Sequence, residues 1–249
     1  MFRHQGKSRT LTHNLQIAIV LSLVAGMVNV TGFLSITQLT TNVTGHFALF
    51  IYDVANFKFW KGTIYFLYLF SFLFGSFLSS FLIEKFKANK KLNVFVIPTI
   101  IECVILVSIA LTSNLIAIEY PDIIACSLLF AMGLQNSYVT KISNAVVRTT
   151  HLTGLFTDLG IELSQLFFPR LHPNRAKLKS TIKLRIYIIL FFFSGGLIGG
   201  FLYSRANLKL NTLLVAAVIL LSSLFYDDIR YHFIKVKRKY NQKKITARR

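Results

Sequence analysis

Six stretches of the sequence each approach or exceed the roughly 20 apolar residues that cross a hydrocarbon core of about 30 Å. They are residues 15–36, 62–83, 93–112, 121–140, 182–204 and 208–226. Hydrophobic residues make up 54% of the chain and charged residues 15%. A soluble domain of this size would alternate apolar with polar residues and carry more charge. The sequence therefore predicts an all-α, polytopic helical membrane protein.

One short motif occurs twice. Residues 40–45 read TTNVTG and residues 149–154 read TTHLTG; we call them the first and second TG segments. Each follows an apolar run with a Gly and an Asn three residues apart, and each precedes an acid by eight residues. The matching residues are Gly26 and Gly133, Asn29 and Asn136, and Asp53 and Glu162. Because a period of about 110 residues is too long for a solenoid repeat, the pattern indicates two homologous membrane halves with matching helix breaks.

These features divide the chain into five parts that share one membrane domain. They are a basic cytoplasmic N-terminus (1–14), a first membrane repeat (15–112), a linker (113–120), a second membrane repeat (121–226) and a basic cytoplasmic tail (227–249). Within the repeats, the short segments 42–57 and 150–168 follow the first apolar runs, and FGSFL at 74–78 aligns with IGGFL at 198–202. Small residues at helix-contact spacing predict close packing of these later helices: Ser71, Gly75, Ser79, Gly195, Gly196, Gly199 and Gly200.

The basic residues indicate the sidedness. Of 28 Lys and Arg, 22 fall in residues 3–9, 85–91, 170–185 and 230–249. Cytoplasmic loops carry such an excess and attract anionic lipid head groups. No nucleic-acid-reading module accompanies the positive charge. We expect a bacterial inner-membrane protein with both termini in the cytoplasm.

The number of spans is six or eight, depending on whether 42–57 and 150–168 re-enter or cross. Six is favoured, because eight would place the lysines of 84–91 outside. With six spans each half contributes three, so consecutive halves are inverted, as in many transporters. The two TG segments would then approach the bilayer midplane from opposite faces as re-entrant or broken helices.

The TG segments are the predicted solute site. Irregular backbone at membrane depth needs protein or a watery cavity around it, and free helix N-termini favour anions. The alternative is that the threonines only cap helices and the glycines only pack. The candidate substrate-binding residues are Asn29, Thr41, Thr44, Gly45, His46, Gln135, Asn136, Thr150, His151, Thr153 and Gly154.

Four acids in or beside the apolar segments are proton-relay candidates, since ionisable groups at membrane depth are costly and usually functional. They are Asp53, Glu102, Asp158 and Glu162. Solvation at the membrane interface is the alternative for those on the short segments.

No catalytic, metal or cofactor site is predicted. His46 and His151 flank the TG segments without a metal-ligand spacing, and Walker or Rossmann glycine loops are absent from the sequence. Cys103 and Cys126 both lie in apolar runs and are expected to act as small hydrophobic residues.

The motif-bearing residues resemble the YoaK-like family of uncharacterised bacterial multi-span inner-membrane proteins. The resemblance rests on AGMVNVTGFL at 25–34, TTNVTG, GLQN at 133–136 and RTTHLTG at 148–154. It implies a membrane location and no established chemistry. Relatives usually have Asp at the position of Asn29, and TGN where this chain has Thr44, Gly45 and His46, so a proton-carrying role could have moved to His46.

The leading hypothesis is a small secondary transporter or channel-like permease for a small polar or anionic solute. One alternative is a membrane-embedded enzyme acting on a lipid-like substrate, with His46, His151, Asp158 or Glu162 as acid or base. Another is a membrane scaffold or sensor that uses its basic tail. The sequence leaves open the substrate, any coupling ion and homo-oligomer formation.

Overall fold

A computed structural model of the protein describes residues 10–87, 94–111, 119–171 and 173–225. These residues form eight helices and no strand, which confirms the all-α prediction. The helices are α1 (Leu11–Ile36), α2 (Val43–Ala55), α3 (Phe59–Phe86), α4 (Val96–Ala110), α5 (Pro121–Ile142), α6 (Leu152–Gln165), α7 (Arg175–Ser204) and α8 (Lys209–Phe225). Most of the basic N-terminus and of the linker, and the whole basic tail, lie outside the described residues.

Four of these helices are long and apolar enough to cross a membrane, namely α1, α3, α5 and α7. The other two predicted spans correspond to α4 and α8, which are apolar but shorter than 18 residues. The short segments predicted around the TG motifs are α2 and α6, of 13 and 14 residues.

Helix α1 packs against α7, and the two run parallel. A Cβ atom on Gly195 would lie 2.0 Å from the carbonyl oxygen of Leu23, and one on Gly199 would lie 3.0 Å from Cα of Met27. Residue numbers thus rise together along the contact. Only glycine permits backbones to approach this closely, so the small residues hold the first helix of one half to a late helix of the other.

Helix α3 packs against α5 in the same way. The Tyr68 hydroxyl donates to the Asp122 carboxylate at one end. Near the other end the Lys141 ammonium donates to Glu84 at 2.7 Å. This pair is therefore parallel as well.

Helices α1 and α5 run antiparallel. The Gln135 amide nitrogen donates to the Leu21 carbonyl oxygen at 2.9 Å, whereas Gly32 lies beside the Leu128 side chain. The four long helices thus form two parallel pairs of opposite direction. Each pair takes one helix from the first half and one from the second.

Matching glycines make matching contacts in the two pairs. A Cβ atom on Gly26 would meet the Phe192 carbonyl oxygen at 2.0 Å, and one on Gly133 would meet the Phe72 carbonyl oxygen at 2.2 Å. Likewise Gly75 abuts the Phe130 carbonyl at 2.1 Å, in the manner of Gly195 and Leu23. These contacts match Gly75 with Gly195, one helical turn before the Gly199 chosen by the FGSFL–IGGFL alignment. Because glycines recur at neighbouring turns of α7, the sequence alone can align Gly75 with either Gly195 or Gly199.

Burial separates inner from outer helices. The most apolar 18-residue windows of α1 and α5 are each 61% buried, against 22% for α3 and 17% for α7. The outer faces of α3 and α7 carry exposed large side chains, among them Phe77 (59%) and Phe201 (63%). Such apolar outer faces suit a lipid environment rather than water.

The chain turns back on itself before α2. Helix α1 ends at Ile36, and the capping residue Thr37 has a left-handed φ of 56°. The next residues return alongside α1, so that the buried Thr40 hydroxyl donates to the Val28 carbonyl oxygen at 3.3 Å and contacts Gly32. Helix α2 therefore begins level with the interior of α1 and not at its end.

Candidate functional site

The first TG segment is fixed to α1 by the Thr40–Val28 bond and by a hydrogen bond between two side chains. The Thr41 hydroxyl donates to Asn29 Oδ1 at 2.9 Å. One residue later, Asn42 caps α2, because its Oδ1 accepts from the Gly45 amide at 3.0 Å. Thr44 is exposed at the start of α2. The segment thus presents a helix N-terminus at the level of Asn29.

The second TG segment repeats this arrangement on α5. The Thr150 hydroxyl donates to Asn136 Oδ1 at 2.8 Å. Helix α6 then begins after His151, which holds the same place as Asn42 but makes no side-chain cap bond. The preceding Thr149 accepts from the fully buried Gln135 side chain at 3.1 Å. Gln135, predicted to line the site, thus ties α5 to α1 and to this turn.

Both TG segments line one large cavity of about 1250 Å³. It brings together nine predicted site residues from the two halves of the sequence: Asn29, Thr41, Thr44, Gly45, Asn136, Thr150, His151, Thr153 and Gly154. His46 and Gln135 are not among the lining residues. The remaining wall includes Leu69, Phe72, Leu73 and Ser76 of α3, Thr140 of α5, Phe192 of α7 and Arg148 before the second TG segment.

Most lining positions occur in matched pairs. Phe72 and Phe192 are paired, since their carbonyl oxygens contact Gly133 and Gly26, which occupy equivalent positions in the two halves. Counting back from the TG segments pairs Leu39 with Arg148 in the same way. The cavity therefore lies between the two halves, with each contributing equivalent parts of its wall.

The two histidines occupy different surroundings. His46 is 2% exposed, its Nε2 lies 2.6 Å from the Leu39 carbonyl oxygen, and its ring contacts those of Tyr65 and Tyr68. His151 is exposed and lines the cavity. Aligning the TG segments residue by residue matches His151 with Asn42 and His46 with Leu155, so the two histidines are not equivalent.

Two of the four candidate acids share one arginine. Arg185 of α7 makes two hydrogen bonds to the Glu162 carboxylate, at 2.9 and 3.1 Å, and an ion pair of 2.8 Å to Asp158. Asp158 lines the large cavity and an adjoining one of about 430 Å³ that also contains Arg148 and Arg185. These groups form a charged network at the second-half side of the site.

The other two acids do not line the cavity. Asp53 is buried near the end of α2. Glu102 is fully buried in α4 and accepts a hydrogen bond from Tyr138 at 2.8 Å, while its Oε1 has no hydrogen-bond partner among the residues that the structure describes. Among the described residues, no group of three His, Cys, Asp or Glu side chains could hold a metal ion.

Sequence reasoning missed two residues of the cavity wall, Arg148 and Phe72, and one of the adjoining cavity, Arg185. Arg185 was counted with the basic loop 170–185, and Arg148 directly precedes the second TG segment. Phe72 gave no signal among so many phenylalanines. Its role depends on a contact with Gly133, which lies 61 residues away in sequence.

The family of proteins of unknown function called DUF1275 matches residues 17–226 of this chain. The chain belongs to this family. The DUF1275 match confirms the resemblance seen in the motifs, and it spans both TG segments and every residue that lines the cavity. No curated protein and no solved structure matches the chain. DUF1275 membership therefore leaves the function to be argued from the site.

Proposed function

We propose that this protein is a small secondary transporter or channel-like permease for a polar or anionic solute. The observation that carries the proposal is that two TG segments, about 110 residues apart, line one cavity. Helix breaks at matching positions of two halves mark the solute site in many transporters. The cavity of about 1250 Å³ exceeds the roughly 300–1,000 Å³ of typical ligand pockets, so it has room for a small solute and its water.

The proposal includes six spans and inverted halves in a bacterial inner membrane, with both termini in the cytoplasm. Helices α2 and α6 each begin beside the interior of a long helix, where Thr41 bonds Asn29 and Thr150 bonds Asn136. At about 20 Å long they reach one face from there and do not cross a core of about 30 Å. The antiparallel course of α1 and α5, the equivalent first helices, supports the inversion. Helices α2 and α6 would then leave the midplane toward opposite faces, each starting at its TG segment.

The enzyme alternative receives less support. It requires acid and base groups that converge on one substrate, yet His46 is buried against Tyr65 and Tyr68, away from the cavity. Asp158, the candidate acid that lines the cavity, is paired with Arg185 at 2.8 Å.

Occlusion of the cavity tests the proposal. The purified protein would be reconstituted into vesicles and assayed for currents or osmotic swelling with a panel of small ions and neutral solutes. Thr44→Trp and Thr153→Trp, both at exposed positions on the wall, are expected to suppress whichever flux the parent shows. Thr63→Trp, exposed on α3 and not a wall residue, is the matched control. Unchanged flux in both wall variants, correctly inserted, would remove the proposed function.

Sidedness has its own test. In a background lacking Cys103 and Cys126, Thr44→Cys and Thr153→Cys are better reporters than Thr41 and Thr150, whose hydroxyls are hydrogen-bonded to asparagines. Labelling with impermeant thiol reagents should show which side of the membrane reaches each position. Labelling of α2 and α6 C-terminal ends, at Asn56 and Phe167, must occur from opposite faces if the halves are inverted.

A further inference from the structure

The two sides of the cavity have equivalent positions but different chemistry. Arg148 on the second-half side holds the place of Leu39 on the first-half side. Thr157 holds the place of Ala48, and all four residues line the cavity. The second-half side is therefore the more polar one at each of these matched positions.

The charged residues of the cavity wall also lie on the second-half side. Asp158 and Arg148 are the charged side chains that line the cavity, and both belong to the second half. Asp158 is paired with Arg185 at 2.8 Å. Arg148 is exposed and forms no ion pair within the described parts of the chain. The wall thus offers one uncompensated guanidinium group, beside His151 in both cavities.

Another part of the wall is apolar and accessible. Leu69, Phe72 and Leu73 of α3 line it. The Leu73 side chain is 64% exposed, so its surface is available for a ligand. A solute that matches both parts of the wall carries an anionic group and an apolar body.

From this asymmetry we infer that the solute is a small organic anion with an apolar body, bound in one orientation. This inference rests on the proposed function and narrows its substrate class. The anionic group contacts Arg148, where a guanidinium can donate paired hydrogen bonds to a carboxylate. The apolar body packs against Phe72 and Leu73 on α3.

Protection of a cysteine from alkylation measures occupancy of the cavity without requiring transport. Thr153→Cys would be placed in the background lacking Cys103 and Cys126, and its maleimide reaction rate would be measured in detergent. The probes are benzoate, its neutral analogue benzamide and the cation benzylammonium, at equal ionic strength. Benzoate is expected to protect, and the other two are expected to protect at least several-fold less.

Variants of the wall separate charge from shape. Arg148→Gln is expected to raise the half-protecting benzoate concentration roughly tenfold, and Arg148→Lys less. Arg205→Gln, at the far end of α7 and outside the wall, should leave it unchanged. Leu73→Asn should weaken protection by benzoate more than protection by acetate. The alkylation rate without any probe shows whether each variant keeps the cavity.

Three results would overturn the inference: equal protection by benzoate and benzamide, unchanged benzoate protection in Arg148→Gln, or no protection by any probe. If one of these occurs while Thr44→Trp still suppresses flux, the transporter function stands and only the substrate class is wrong. If benzoate protects but occlusion leaves flux unchanged, the anion site stands and transport through it is wrong.

Discussion

Replacing Gly26 by alanine tests the close packing that holds the two halves together. The new Cβ atom would lie 2.0 Å from the Phe192 carbonyl oxygen, more than 1 Å inside ordinary van der Waals contact. A backbone carbonyl cannot rotate away as a side chain tip can, so α1 and α7 must separate locally. Overpacking of this kind costs about 1–3 kcal/mol, and alanine recovers about 1 kcal/mol through its higher helix propensity.

The net loss of stability at Gly26 is therefore up to about 2 kcal/mol. At about 2–4 °C per kcal/mol for a chain of this size, the melting temperature should fall by up to about 4–8 °C. Gly160→Ala in α6 is the matched control, because nothing lies within 4 Å of its Cβ position. Its helix propensity gain is unopposed, and the melting temperature should rise by a few degrees at most, about 2–4 °C.

The assay is thermal unfolding in detergent, followed with a thiol-reactive fluorophore. Cys103 is 3% exposed and Cys126 is half-buried, so both report loss of structure. Gly133→Ala should resemble Gly26→Ala, because its Cβ atom meets a carbonyl at 2.2 Å. If Gly26→Ala and Gly160→Ala melt at the same temperature, the helices do not pack as described and the reasoning is wrong.

Three further substitutions are informative. Arg185→Gln should lower the melting temperature more than Glu162→Gln does, because the arginine also pairs with a second acid. Equal decreases in the two variants would argue against the shared network. Asn29→Asp should retain native stability at neutral pH, since the Thr41 hydroxyl can donate to a carboxylate as it does to the amide oxygen. If the flux through this variant does not change with pH, that result would count against a proton-carrying role at position 29. Glu102→Gln should leave flux unchanged, because Glu102 does not line the cavity, and a loss of proton-coupled flux would instead make it a relay.

Local features of the site could be predicted from the sequence. The Thr-Gly pattern of the TG segments, within apolar surroundings, predicted two helix breaks. The sequence also matched Asn29 with Asn136, and in the structure these two residues make equivalent hydrogen bonds. Both predictions depend on short stretches of the chain. Because each stretch occurs twice, the repetition supports an interpretation that a single copy would leave open.

Contacts between the halves could not be predicted. Pairing of α1 with α7 depends on which glycine meets which carbonyl across more than 160 residues, and apolar helices of similar composition offer many partners. The place of Arg148 in the cavity wall could not be predicted for a related reason. Its charge suits a basic loop as well as a cavity wall, and only the fold distinguishes the two.

The exchange of partners between the halves also has a consequence for synthesis of the protein. Gly26 packs against α7, which is synthesised after the whole first half. Until α7 is inserted, the closely packing glycine face of α1 has no helix to cover it in the bilayer. A truncated chain ending after α4 should consequently be recognised by quality-control proteases. Co-expression with the missing half as a separate polypeptide should protect it, since the contacts to be made are the same ones.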